Sequence, residues 1–420
     1  MATISRDRAV GAPGPTPPTA DEVRDVLRSV IDPELGADIV SLGMVGSIVI
    51  GDDGLVTIEV KLTISGCPMR AEIKREVEDR VELHPGVTKV KIEWGEMTAD
   101  ERTEVMTRAR WNARERATAT KVPTTTKVLA IASGKGGVGK SSVTVNLAAA
   151  LAAHGLRVGV LDADIWGFSV PRLLGITDRM EAERIPGHDK PLIIPNRRPV
   201  PGAIVDGEQR PDGVLEVVST GFLVDEDTAL MWRGLMLTKA VEQFLNDVLW
   251  GDLDYLLIDM PPGTGDVQMG LARMLPATDL LVVTTPALAA QKVAQRAADM
   301  ARRSFLKVIG VVENMSAFTD SAGVEHALFG AGGGAALAEA IDTPLLGSIP
   351  IEPAVSAGGD AGEPVALDGS GVAAEAFRSI ARRLIEDLAP PAERDDDGQA
   401  VDMAGCSARL LDAVAAAFDD

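Results

Sequence analysis

Apolar residues recur along this chain in three rhythms, and each rhythm predicts a different kind of element. Val23, Val26, Leu27, Val30 and Ile31 fall at helical spacing, which predicts a helix over 20–31 with one buried stripe. Thr19 and Glu22 precede it as a T-x-x-E pair, in which side chains and backbone cap each other. From residue 47 the period drops to two. SIVI, a GDDG turn and LVTIEVKLTI, with Val56, Ile58, Val60, Leu62 and Ile64 alternating, predict a hairpin. A helix is expected after Cys67-Pro68, and a last strand in TKVKIEW, where Val90, Ile92 and Trp94 alternate. Together these elements predict a small α+β domain over 19–96.

From residue 127 the apolar runs become nearly continuous: KVLAIAS, RVGVLDAD, DYLLIDMP, DLLVVTTP and KVIGVVENM, mostly separated by helical stretches. Strands that are apolar on both faces belong to a parallel sheet covered by helices on both sides. The expected fold class is therefore α/β, a doubly wound and mostly parallel sheet over 127–390, preceded by the small α+β domain. Residues 1–18, rich in Gly and Pro, read as a disordered tail, 97–126 as a helical and extended linker, and 391–420 as an acidic tail.

One strand-to-helix junction carries chemistry. GKGGVGKS, residues 134–141, fits G-x-x-x-x-G-K-[ST] and stands between the strand KVLAIAS and the helix SSVTVNLAAALAAH. Glycines there let backbone N–H groups turn inward, and the helix amino terminus adds favourable potential for anions. The pattern predicts a nucleotide site with Mg²⁺, contacted by Gly134, Lys135, Gly136, Gly137, Val138, Gly139, Lys140, Ser141 and Ser142. Lys140 would reach the β and γ phosphates and Ser141 the metal ion. A Gly-rich turn without a ligand is the alternative, which the strand-then-helix order disfavours. Asp162 and Asp164 end the strand VGVLDAD two residues apart, so both would face the edge of the sheet where ligands sit. One carboxylate can assist Mg²⁺ through water while the other orients the attacking water; capping the next turn is the competing reading for either. Asp259 ends the apolar strand YLLID and reads as the Walker B carboxylate of the same site.

Composition narrows the partners. The chain has 62 acidic and 41 basic residues, net −21, and only 8 Phe, 5 Trp and 1 Tyr. Such a surface suits neither a phosphate backbone nor stacking on single strands. No apolar run reaches the ~18 residues of a membrane helix, and the start of the chain lacks the apolar core of a secretory signal. Two cysteines, Cys67 and Cys406, cannot make a disulfide framework and suit a reducing compartment. One chain also lacks the about four thiolates that an all-cysteine cluster needs. The expectation is a cytoplasmic protein with neither nucleic acid nor membrane as partner.

Lys135, the second residue of the loop, resembles the signature lysine of the deviant phosphate-loop ATPases typified by MinD, ParA and the nitrogenase iron protein. In those families this lysine crosses a dimer interface to the partner's nucleotide. The resemblance implies a homodimer in which Lys135 stabilises charge on the transferring phosphoryl group in trans. It also gives Asp164 the water-orienting role and leaves Asp162 the Mg²⁺. SGKGGVGKS, DADIWGFSVPRLLG, MWRG, WGDLDYLLIDMPPGTGDVQ, VIGVVENMS and FGAGGG with PLLGSIPIEP together resemble the Mrp/ApbC family of iron–sulfur cluster carrier ATPases. DPELGADIVSLGMV and SGCPM resemble the cluster-assembly domain that many bacterial members carry. This implies ATP binding, slow ATP hydrolysis, dimerisation and delivery of clusters to apoprotein clients, with Asn314 in VENM reading the adenine. From local sequence an Asn bonded to its own backbone is as good a reading. Trp232 and Arg233 of MWRG read as a core residue and a surface residue before a helix.

The departure from the family is a missing pair. Many members carry C-x-x-C shortly after VENMS as cluster ligands, and here the stretch is ENMSAFTDSAGVEHALFG. Asp320, Glu325 and His326 lack the soft thiolates of an iron–sulfur site, and His326 is expected at the surface or a dimer rim. Cys67 is then the candidate iron–sulfur ligand, at the mouth of a helix whose amino terminus favours a thiolate; burial as a small hydrophobe is the alternative. Cys406 reads as incidental. Two chains would hold four cysteines, so a bridged cluster is arithmetically open. Besides the carrier, two functions stay in play: a nucleotide-switched adaptor that has lost the cluster site, and a MinD/ParA-type positioning ATPase. The second is disfavoured, because SARLLDAVAAAFDD ends on two aspartates that anionic lipid would repel.

Overall fold

The computed structural model describes residues 16–33, 35–63, 69–116, 119–164, 167–222, 234–263, 266–304, 306–368, 370–395 and 400. The chain divides after Arg116 into two units.

The first unit runs α1 (Ala20–Leu27), β1 (Val45–Ile50), β2 (Leu55–Leu62), α2 (Arg70–Val81), β3 (Lys89–Glu96) and α3 (Ala99–Arg116). The cap of α1 forms as expected. The Glu22 N–H donates to Thr19 Oγ1 at 3.2 Å, and the Glu22 carboxylate accepts from the Thr19 N–H at 2.7 Å. The helix nevertheless stops at Leu27, short of Ile31. Pro33 disfavours a helical Asp32, whose carboxylate instead accepts from the Leu35 N–H. Ile31, expected on the buried stripe, is 48% exposed and bridges to Asp38. β1 pairs antiparallel with β2, and β3 adds to β2 in parallel. Val56, Ile58, Val60 and Leu62 alternate into the core with Val23 and Leu27 of α1 and Ile73, Val77 and Val81 of α2. The stretch read as a linker holds α3, which packs on this unit through buried Val105 and Ala109 and a 2.6 Å Lys61–Glu101 ion pair. Thr98 and Glu101 repeat the reciprocal cap at its start.

The second unit continues with β4 (Lys127–Ser133), α4 (Lys140–Ala152), β5 (Arg157–Asp162), α5 (Val170–Leu173), β6 (Glu181–Glu183), β7 (Leu192–Ile194), β8 (Asn196–Val200), β9 (Ile204–Val205), β10 (Glu208–Gln209) and β11 (Gly213–Ser219). There follow α6 (Gly234–Asp247), β12 (Tyr255–Asp259), α7 (Asp266–Met274), β13 (Asp279–Thr284), α8 (Leu288–Arg303), β14 (Lys307–Thr319), β15 (Glu325–His326), α9 (Gly333–Ala340), β16 (Leu345–Ile351), α10 (Pro353–Ala361), α11 (Val365–Asp368) and α12 (Val372–Arg383). The main sheet has the order β15-β14-β13-β4-β12-β5-β11-β8, with β16 also on β14. Its pairs are parallel except β8 on β11 and β15 on β14.

The period of two explains why these strands are apolar throughout. Leu129, Ile131, Val158, Val160, Tyr255 and Leu257 face one core, with α4, α11 and α12. The intervening Val128, Ala130, Ala132, Leu161, Leu256 and Ile258 face a second core, with α6, α7, α8 and α9. Each face is covered, so neither half of the alternation is polar. The chain beyond α12 is fastened to the same sheet: Tyr255 Oη donates to the Ala389 carbonyl at 2.6 Å, and Arg394 pairs with Asp252 and Asp254.

Candidate nucleotide site

β4 lies between β13 and β12, so the loop that follows it opens over the middle of the sheet. Tyr255 and Leu257 of β12 face α4, and Asp259, next in phase, faces it as well. Val158 and Val160 of β5 bring Asp162 to that side in the same way. The two aspartates are register partners on adjacent parallel strands.

Asp259 is fully buried and gathers the start of α4 around it. Its Oδ1 accepts from Lys140 Nζ at 2.6 Å and from Thr144 Oγ1 at 3.0 Å, while its Oδ2 accepts from Ser141 Oγ at 2.5 Å. Lys140 is itself 6% exposed. The lysine, the hydroxyl and the strand-end carboxylate picked out separately in the sequence thus form one cluster. A pocket of about 360 Å³ opens beside it. It is lined by Lys135, Gly136, Gly137, Val138, Gly139, Lys140, Ser141 and Ser142 of the loop, with Asp164 and Ser169 opposite. Lys135 is exposed there. Gly134 is used differently: a Cβ on it would lie 2.3 Å from the Ala294 backbone nitrogen, so the loop seats directly on α8.

The two aspartates after β5 do not share a face. The strand ends at Asp162, and Asp164 lies beyond it in the pocket wall. Asp162 points inward, fully buried, because the following loop folds back over it. Its Oδ1 accepts from the Asp164 N–H at 3.1 Å, and its Oδ2 from Ser169 N–H, Val170 N–H and Ser219 Oγ at 3.1–3.3 Å. Burial, and then the charge of Asp259, push its carboxyl up to about 7 from an ordinary 3.8. A carboxyl raised on folding stabilises the native state fully below the unfolded pKa, and that contribution is lost as pH rises through the folded one. The stability of wild type relative to Asp162→Asn should therefore fall by about 2 kcal/mol between pH 5 and pH 8. Urea unfolding of both at each pH measures it, and a pH-independent difference would remove Asp162 as the titrating group.

On the other side of β4, Asn314 of β14 is buried and donates from Nδ2 to the Val138 carbonyl at 2.9 Å. Beside it Glu313 is also buried, accepting from the Gly334 N–H at 2.5 Å and from Ser348 Oγ at 3.2 Å. β14 runs on past VENM and returns through β15. Asp320 closes that hairpin, accepting from the Ala322 and Val324 N–H groups with His326 Nε2 at 2.8 Å, and the His326 ring stacks on Phe318. Asp320 and His326 are thereby tied into a turn, with His326 exposed as expected. Among the described residues no group of three or more His, Cys, Asp or Glu side chains is placed to hold a metal ion. Cys67, Cys406, Trp232 and Arg233 lie outside the described residues; the helix expected after Cys67-Pro68 is described from Arg70.

Thr144 bonds Asp259, Ser219 bonds Asp162 and Glu313 flanks Asn314, and none of the three stands out in the sequence. Thr144 had a signal, one helical turn beyond Lys140 on the same face. Ser219 and Glu313 had none, since their partners lie far away along the chain.

A glycine loop over a helix amino terminus, with lysine and hydroxyl on a buried strand-end carboxylate, defines a P-loop NTPase domain. Residues 124–385 match the family described as ParA: NUBPL iron-transfer P-loop NTPase, and residues 20–94 match the iron-sulfur cluster assembly protein family. The chain belongs to this iron-transfer P-loop NTPase family, with an iron–sulfur assembly domain ahead of the NTPase domain. Relatives named iron-sulfur cluster carrier protein include one from Mycobacterium tuberculosis, 46% identical over 82% of this chain and 87% of its own. Another, from Deinococcus radiodurans, is 41% identical over 87% of this chain and 94% of its own. A third, from Synechocystis, is 38% identical over 87% and 97%. No described helix is long and apolar enough to cross a membrane.

Proposed function

We propose that this chain binds ATP with Mg²⁺ in the phosphate loop, hydrolyses it slowly as a homodimer, and carries an iron–sulfur cluster that it hands to apoproteins in the cytoplasm. The observation that carries this reading is the convergence of Lys140 and Ser141 on Asp259 at the floor of a pocket bordered by Lys135 and Asp164. The oxygens of Ser141 and Asp259 are hard donors that fit Mg²⁺. Ser141 would hold the ion directly with Asp259 behind it, and the bound ion would neutralise charge on the phosphates. Asp162, expected to assist through water, is instead buried with both oxygens accepting from its own loop and Ser219. Asp164 would orient the attacking water, Lys135 would serve the partner's nucleotide, and Asn314 would meet the adenine. The name borne by the relatives supports the cluster as cargo. A net charge of −21 supports a carrier of small cargo over a membrane or nucleic-acid binder.

Anaerobic reconstitution with iron and sulfide tests the cargo. Wild type should gain visible absorption, and Cys67→Ser should lose most of it. No chromophore in the wild type would favour the nucleotide-switched adaptor. A chromophore indifferent to the substitution would remove Cys67 as a ligand.

A further inference from the structure

We propose that Asn314 is the strut that sets the shape of the phosphate loop, so that it governs phosphate binding whatever base the nucleotide carries. The proposal rests on the loop being the nucleotide site, and it gives Asn314 work beyond contact with a base.

Two observations place the Asn314 amide inside the loop. Gly139, the residue before α4, has φ +77°, and a Cβ on it would lie 2.2 Å from Asn314 Nδ2. The amide therefore occupies the space a side chain at 139 would need. Nδ2 also donates to the Val138 carbonyl at 2.9 Å. That carbonyl and the Gly139 N–H belong to one planar trans peptide and point in opposite directions. Holding the carbonyl on Asn314 therefore turns the Gly139 N–H away from Asn314, in a peptide whose two residues both line the pocket.

Two more observations indicate that the strand is shaped for this contact. Met315, a non-glycine residue, has φ +57°, a left-handed conformation that persists only where its surroundings hold it. The pairing of β14 with β16 shifts register between Asn314 and Phe318. The backbone thus departs from a regular strand immediately after Asn314. On its other side, Glu313 is anchored to Gly334 and Ser348. An amide held between an anchored residue and a strained one, buried to 8% exposure, is rigid support for a loop of glycines.

A strut and a base reader give different results with ligands that lack the base. Titration calorimetry on the full chain compares ATP, GTP and inorganic triphosphate binding to wild type and Asn314→Ala. One lost hydrogen bond should weaken all three by a similar factor, ~5–10-fold. Loss for ATP with unchanged triphosphate binding would overturn the proposal in favour of adenine reading alone, and no loss for any ligand would overturn it outright. Gly139→Ala should cost triphosphate affinity in wild type and cost less in the Asn314→Ala background, where the nearest atom is gone; additive losses count against the strut. Hydrogen exchange without nucleotide supplies a readout independent of binding. Amides 136–141 should exchange faster in Asn314→Ala, and unchanged exchange contradicts the proposal. If Asn314→Ala does not fold, Asn314→Ser carries the same comparisons. A wild type that binds neither ATP nor triphosphate would defeat the nucleotide reading, while the exchange experiment would still decide the role of Asn314.

Discussion

Lys140→Ala should lower ATP turnover at least ~10³-fold, to the background of a phosphate-release assay, since it removes the cation proposed to meet the transferring phosphates. The same substitution should also be felt in the absence of nucleotide. Lys140 and Asp259 form a buried ion pair at 2.6 Å, with side chains 6% and 0% exposed. Removing one partner of such a pair leaves the other charge uncompensated, at a cost of about 3–5 kcal/mol. Ser141 and Thr144 would be left as the hydroxyl donors to the Asp259 carboxylate. Adding Asp259→Asn should then recover part of the stability and none of the turnover. Phosphate release and urea unfolding of the single and double variants separate the two effects. Undiminished hydrolysis by Lys140→Ala would refute the phosphate-loop assignment. A double variant no more stable than the single would show that the ion pair is not what Lys140 contributes to the fold.

Two inactive variants should restore each other if Lys135 acts across a dimer. Lys135 lines the pocket in an exposed position, and Asp164 lines it from the loop after β5. Lys135→Ala alone should bind ATP and turn it over slowly, and Asp164→Asn alone should do the same for want of the water-orienting carboxylate. In a mixed dimer, the subunit carrying Lys135→Ala keeps its own Asp164 and receives Lys135 from its partner. Equal mixing makes half the dimers mixed, each with one complete site, so activity should return to about a quarter of wild type. Turnover is measured against mixing ratio. If it never exceeds the sum of the separate variants, Lys135 works within its own subunit or not at all.

Much of the architecture was legible because it is local. The switch from a period of two to continuous apolar runs at residue 127 marks the step from the three-stranded sheet, β1-β2-β3, to a sheet buried on both faces. The T-x-x-E pair at Thr19 forms the cap it predicts. The loop at 134–141 sits between the strand and the helix that its spacing requires. One misreading also has a local cause. Helical periodicity runs on to Ile31, but Val30 and Ile31 instead pair with Ile39 and Asp38 beyond the end of α1. Residues 97–126, read as a helical and extended linker, do carry a helix, α3, which buried Val105 and Ala109 help to seat.

The sequence by itself determined the two kinds of sheet, where the phosphate loop stands and that Asp259 ends a strand, because periodicity and turn chemistry act between residues a few positions apart. Only the tertiary structure decided what the polar groups do. Asp162 and Asp164 look equivalent in VGVLDAD. One is sealed under its own loop by Ser219, and the other is turned to the pocket. Asn314 could not be told from any strand-end asparagine until β14 was set beside β13 and its amide met Val138. A hydrogen bond is chosen by proximity in space. Partners 57 and 176 residues apart leave no trace in local pattern, and the way the strands are ordered in the sheet brings them together.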